Sequence, residues 1–353
     1  MYSGHSQIGE AAALLRAGGV VAFPTETVYG LGADISHPSA VRRIFEIKGR
    51  PEDHPLIVHF VDASGLGHWA RQVPQQALRL AQHFWPGPLT LILPRSRQVP
   101  ENVTGGQDTV GLRVPDHPVA LGLLHELGPG HALAAPSANR FGHVSPTTAA
   151  HVRDELGDAV DMVLDGGPCR VGLESTIVGF DGQGAMILRP GGISQQALEE
   201  VLKVKIVLSD AAKSALRVPG ALVSHYAPVT PLELWPSESL LLRASELEAK
   251  GLRVAILAYS LQVNDLNRPA TEQMVFFLMP AASIEYGRVL YATLRCFDHE
   301  GFDRILVEAP PDNPAWTAIA DRLRRANSVP RCNARAGGGA RTRAHKNAAK
   351  EAV

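Results

Sequence analysis

Apolar positions recur at helical spacing near residues 7 to 17, and Gly18-Gly19 then halts the helix before the short apolar run "VVAF". The pattern predicts helix, turn and buried strand. In "HPSAVRRIFEIKGRP", Val41, Ile44, Phe45 and Lys48 fall at i, i+3, i+4 and i+7, with Pro38 near the start and Gly49-Arg50-Pro51 at the exit. Strands are predicted at "PLIVHF", at "LTLILP" (89–94), at "TVGLRVP" (109–115) and in "HALAAPSAN", which ends in a Pro-Ser turn. "STIVGF" (175–180) and "MILRPGG" (186–192) form an adjacent pair joined through "DGQGA".

From about 208 to 231 the periodicity loosens into "LSDAAKSALRVPGALVSHYAPVTP", which reads as an ordered linker. Alternation then resumes. "RVAILAYS" and "RILVEAPP" read as buried strands, and "SIEYGRVLYATLRCFDHEG" and "PAWTAIADRLRRANS" as helices. The expected division is 1–207, a linker at 208–231, a smaller parallel α/β domain at 232–328, and a tail at 329–353. That tail carries six cations against the single acid Glu351, has no apolar periodicity, and is expected to be disordered.

Composition narrows the class. A chain of 353 residues, 45% hydrophobic and 20% charged, is an ordinary globular composition with room for two domains. The formal net charge of -1 excludes a global basic field, so any contact with a polyanion is local. Cys169, Cys296 and Cys332 are odd in number and far apart, which fits neither a disulfide framework nor a metal knuckle. Neither a basic leader with an apolar core nor a membrane-length apolar run is present, so a cytoplasmic location without membrane contact is expected.

Several strand ends carry groups that could do chemistry. "FPTETVYGLGAD" offers small polar residues and then two glycines that let backbone approach a ligand, although plain turn chemistry gives the same composition. Lys48 and Arg50 flank one backbone kink, where they suit a phosphate or simply cap the helix. Arg113 lies in an apolar strand, so its guanidinium needs a partner, either a substrate carboxylate or a neighbouring acid. "APSANRFGHVSP" contributes Ser137, Asn139 and Ser145, "GLESTIVGF" Ser175, and "LRPGG" Arg189. No G-x-S-x-G elbow, P-loop or G-x-G-x-x-G cradle occurs. Read by themselves, these residues describe a pocket for an anionic small molecule.

In this order, "PTETVYGLGAD", "KGRPEDHPLIVH", "WPGPLTLIL", "GLRVPDHP", "APSAN", "ESTIV" and "LRPG" resemble the YrdC/Sua5 family of threonylcarbamoyl-AMP synthases over roughly residues 8 to 205. The segment 232–328 resembles the C-terminal domain of the longer Sua5 type. The resemblance implies an α/β fold: a YrdC-like twisted mixed sheet flanked by helices, plus a smaller Rossmann-like parallel domain. It implies conversion of L-threonine, bicarbonate and ATP, with Mg2+, to threonylcarbamoyl-AMP and pyrophosphate. The product would serve modification of tRNA adenosine 37 through a downstream transfer complex. Lys48 and Arg50 would be catalytic, facing the triphosphate. Thr27, His59, Arg113, Ala135 and Ser175 would bind threonine, with Arg113 on its carboxylate. Lys48, Arg50, His54, Thr109, Ser137, Asn139, Ser145, Arg189 and Tyr226 would bind ATP, and His225 and Tyr226 would close the linker over the pocket. The chain departs from the family pattern at His54, where Asn is common, in the stretch between Pro219-Gly220 and His225-Tyr226 of the linker, which has no basic residue, and at Trp316, where a small glycine-rich turn is usual. A non-catalytic RNA-binding module of the same fold, with weak tRNA contact, is the competing reading. A carbamoyltransferase or hydrolase acting on another acyl adenylate is a third.

Overall fold

The structure, a computed structural model, describes residues 3–182, 184–209, 216–220, 226–260 and 273–327. The tail and His225 lie outside the described residues, as does part of the linker. The first sheet is built from β1 (Val21–Phe23), β2 (Gly30–Asp34), β3 (Ile57–His59), β4 (Leu89–Pro94), β5 (Thr109–Arg113), β6 (Leu133–Ala134), β7 (Met162–Val163), β8 (Thr176–Asp181), β9 (Gly184–Arg189) and β10 (Val207–Leu208). Its order is β10-β9-β8-β4-β5-β3-β6-β2-β1-β7, with parallel and antiparallel pairs mixed. Flanking it are α1 (Ser3–Arg16), α2 (Pro38–Lys48), α3 (Leu66–Trp69), α4 (Gln75–Phe84), α5 (Glu101–Thr104), α6 (Pro118–Leu127), α7 (Ala149–Leu156) and α8 (Gln195–Leu202).

Strand alternation explains why both faces are covered. Val21 and Phe23 join a core with residues of α1 and α6, whereas Ala22 between them joins the core on the other face with residues of α2, α4 and α8. Leu133 and Ala134 divide in the same way. The predicted helix at 38–48 starts with Pro38 in its first turn and ends where Gly49 adopts φ 61°. That left-handed cap turns the chain sharply and leaves both Lys48 and Arg50 buried.

The second sheet comprises β11 (Leu232–Trp235), β12 (Val254–Ala258), β13 (Met274–Leu278) and β14 (Arg304–Glu308), all parallel, in the order β11-β14-β12-β13. Its helices are α9 (Ser237–Glu248), α10 (Ser283–His299) and α11 (Thr317–Ala326). Trp316 is buried there, with ring centroids 5.0 Å from Tyr259 and 5.1 Å from Tyr286, so an aromatic cluster fills the place of a small turn. The apolar core beneath α10 and α11 also takes in Val28, Val144, Leu173 and Tyr226, so packing is continuous from the first sheet to the second.

One segment differs from its sequence reading. "GLGAD", expected as a loop with two glycines, is β2, buried throughout between β6 and β1. Glycine lowers strand propensity, yet Gly32 is required by packing: a Cβ there would come within 2.7 Å of the Phe23 ring.

Candidate active site

Strand register places the polar row. In the parallel β3-β5 pair His59 stands opposite Arg113, and in the antiparallel β8-β9 pair Ile177 stands opposite Arg189. Between them β4 contributes Thr90, whose hydroxyl is 2.8 Å from that of Ser175. The loop after β1 brings Thr25 and Thr27 to the same place, and the turn after β6 brings Ala135 and Ser137. Thr25, Thr27, His59, Arg113, Ala135, Ser137, Ser175 and Arg189 line one cavity, part of it open to solvent, which Pro219, Gly220 and Tyr226 of the linker border.

All five residues expected to bind threonine line this cavity: Thr27, His59, Arg113, Ala135 and Ser175. Arg113 has a partner that the sequence reading left unnamed. Its Nη2 donates to Glu26 Oε1 at 2.7 Å and to Thr27 Oγ1 at 2.9 Å, in a fully buried ion pair. The other oxygen of Glu26 accepts the Asp116 backbone N–H at 3.0 Å. Arg113 Nε, buried, has no hydrogen-bond partner among the described residues. His59 Nδ1 donates to the Ile57 carbonyl at 3.2 Å, which leaves Nε2 as an acceptor. Burial and then the Arg113 charge push the imidazole down to about 3, so it is neutral at ordinary pH.

Of the residues expected on ATP, Arg50, Ser137, Arg189 and Tyr226 line the cavity, whereas Lys48, His54, Thr109, Asn139 and Ser145 are not part of its lining. Arg50 donates through Nη2 to the Pro55 carbonyl at 3.0 Å, and its buried Nε has no partner among the described residues. Burial lowers this guanidinium to about 10, the mark of a cation short of counter-charge. Arg189 donates from Nη2 to the Ser175 carbonyl at 2.8 Å and from Nη1 to the Pro219 carbonyl at 3.0 Å. Lys48 donates to the Ser137 and Asn139 carbonyls at 2.6 and 2.5 Å, tying the end of α2 to the loop after β6. Burial, reinforced by Arg50, holds its ammonium well below the usual lysine range.

His54 packs edge-on against Phe141 with ring centroids 5.3 Å apart. Asn139 uses its amide on the Arg140 and His143 carbonyls, at 2.7 and 3.0 Å. Thr109 pairs with Pro94 at the end of β5 remote from Arg113, about 13 Å along the strand. Ser145 donates to Glu174 Oε1 at 2.6 Å, so it reaches the pocket through that carboxylate. Glu174, which lines the cavity, was missed in the sequence; its signal was "LEST", a lone acid in an apolar run that needed a cation.

Gly220 is fixed by this geometry. It has φ +77°, and a Cβ would lie 2.0 Å from the Tyr226 hydroxyl oxygen. Tyr226 itself has φ 62°, a left-handed conformation unusual for a large residue.

A model named for Sua5, YciO and YrdC, described as "Telomere recombination", matches residues 13–191. One described as "Threonylcarbamoyl-AMP synthase, C-terminal domain" matches residues 193–328. The chain is 40% identical to the threonylcarbamoyl-AMP synthase of Pyrococcus abyssi, over 90% of this chain and 93% of that one. It is 42% identical to the Bacillus subtilis protein of the same name, over 91% and 92% of the two chains. Among solved structures, P. abyssi Sua5 complexed with L-threonine superposes with a TM-score of 0.82 at 36% identity, covering 91% of this chain and 94% of that one.

Proposed function

Because the chain belongs to the Sua5/YciO/YrdC family, we propose that it is a nucleotidyltransferase that makes threonylcarbamoyl-AMP from L-threonine, bicarbonate and ATP. The observation that carries this reading is one cavity lined by three buried arginines, two of which keep an Nε with no partner among the described residues. Such a pocket favours a ligand that brings several negative charges.

Threonine would place its carboxylate against the unshared donors of Arg113, while Glu26 and Thr27 hold the guanidinium in place. Its hydroxyl would donate to the neutral His59 Nε2. The amine combines with CO2 derived from bicarbonate to form a carbamate. A carbamate oxygen then attacks the α-phosphorus, one O–P bond forms as the bond to the bridging oxygen breaks, and pyrophosphate leaves. Arg50 and Arg189 would neutralise the phosphates, so catalysis is mainly positioning and charge stabilisation. Lys48 would act by fixing the loop at Ser137 and by its remaining N–H. Among the described residues no cluster of His, Cys, Asp or Glu could hold a metal ion. Mg2+ would enter with ATP and share the charge of the phosphates.

The proposal extends to the use of the product. A mixed anhydride of this kind is labile, so it would pass to a complex that transfers threonylcarbamoyl to tRNA. A cytoplasmic location belongs to the same reading, since ATP, threonine and tRNA meet there. No helix among the described residues is long and apolar enough to cross a membrane.

The test is pyrophosphate release from ATP by purified protein with Mg2+ and bicarbonate, in the presence of L-threonine, L-serine or L-valine. Release that requires both threonine and bicarbonate is expected. Folded protein that releases none, and binds RNA in a strongly salt-dependent way, would support the RNA-binding alternative.

A further inference from the structure

Glu174 is a carboxylate in the wall of a pocket that is otherwise cationic, and the groups that hold it come largely from the second domain. Arg322 of α11 donates from Nε to Glu174 Oε2 at 2.7 Å, and Tyr291 of α10 donates to the same oxygen at 3.0 Å. From the first domain, Ser145 is the one side chain among the described residues that contributes a hydrogen bond, at Oε1. Arg189 is close enough to act on Glu174 electrostatically, yet it donates its hydrogen bonds to Ser175 and Pro219. Arg322 is 1% exposed, donates from Nη1 to Asp321 at 2.8 Å, and lies with its guanidinium carbon 4.9 Å from the centre of the Tyr226 ring.

Stability alone is a poor reason for this arrangement, because apolar residues of similar volume often stabilise a buried site as well as an ion pair does. Charge is a better one. If Glu174 lacked Arg322, the remaining cation that acts on it would be Arg189, and the pair would cancel one of the arginines that face the cavity. We infer that Arg322 is a positioning residue: the second domain supplies the counter-charge to Glu174, so that Arg189 and Arg50 stay available to an anionic ligand. The nucleotide affinity of the first domain then depends on α11. This rests on the reading of the cavity as the ATP site.

The experiment uses the full chain as wild type, Arg322→Met, Glu174→Gln and the double variant, with circular dichroism to check folding. Binding of inorganic pyrophosphate is measured by calorimetry, and the ATP KM by threonine-dependent pyrophosphate release. Arg322→Met should weaken pyrophosphate binding and raise the ATP KM about tenfold, a coupling ordinary for neighbouring charges. Adding Glu174→Gln should restore both to within about twofold of wild type. Glu174→Gln alone, which removes the carboxylate from the cavity wall and leaves Arg322 paired with Asp321, should tighten pyrophosphate binding; this variant decides the matter should Arg322→Met not fold. Unchanged affinity in folded Arg322→Met, absence of rescue, or weaker binding in Glu174→Gln would each overturn the inference. If the wild type binds pyrophosphate but never releases it from ATP, the synthase reading falls while the charge argument stands. If the wild type binds no pyrophosphate, both fall.

Discussion

Gly220→Ala is the smallest change that probes the roof of the cavity. Two costs add. Alanine in the left-handed region, here φ +77°, costs about 1 kcal/mol. The new methyl would lie 2.0 Å from the Tyr226 hydroxyl oxygen and 3.2 Å from Arg189 Nη1, so Tyr226 has to move by more than an ångström. It has little room to do so, being stacked at 6.0 Å on Tyr291 and covered by Arg322. Disturbing that packing should cost a further ~1–2 kcal/mol. Gly130→Ala is the control: its φ is +83°, but nothing lies within 4 Å of its Cβ, so it carries the backbone cost alone. Thermal melts should show Gly220→Ala well below Gly130→Ala, and only Gly220→Ala should need more ATP for half-maximal pyrophosphate release. Equal melting losses with an unchanged ATP requirement would refute the described contact between Gly220 and Tyr226.

Arg50→Ala removes a buried cation with an unpartnered donor and should raise the ATP KM at least tenfold, about what a hydrogen bond to a charged group is worth; an unchanged rate at limiting ATP would remove Arg50 from the site. His59 binds a proton only near pH 3 when folded, against 6.5 when unfolded. The unfolded state therefore holds more protons in that window, and stability falls as pH drops through it. Wild type should thus lose more stability than His59→Gln between pH 7 and 4.5 in urea melts, and parallel losses would contradict a neutral buried imidazole. Trp316→Ala empties an aromatic cluster outside the cavity lining and should cost about 3–5 kcal/mol while threonine binding per folded molecule stays the same; a selective loss of threonine affinity would contradict that separation.

What was legible in the sequence was the local pattern. The run "LTLILP" coincides with β4, and the 41-44-45-48 spacing marks the buried face of α2. Pairings across long sequence separations were not legible. That Arg113 would meet Glu26, 87 residues away, depends on the sheet order, and two glycines concealed the strand β2 that helps set this order. The apolar run around "RVPD" showed that Arg113 needed an acid or a carboxylate but offered no way to choose between them. Glu174 and Arg322, 148 residues apart, were still harder to connect, because "ADRLRR" reads as an amphipathic helix whose arginines face water. Lys48 was open in the sequence between a phosphate partner and a helix cap, and its buried ammonium donates to two loop carbonyls.

The cavity draws its lining from Thr25 near the start of the first domain to Tyr226 in the linker, and Glu174 in that lining waits for Arg322. A chain made from its N-terminus has therefore left almost all of its first sheet behind before the roof arrives, and nearly all of its length before the last charge is matched. Loop closures this long are slow to form. During synthesis, then, the anion pocket is among the last parts to become competent, and tight nucleotide binding would mark a chain that has finished both domains.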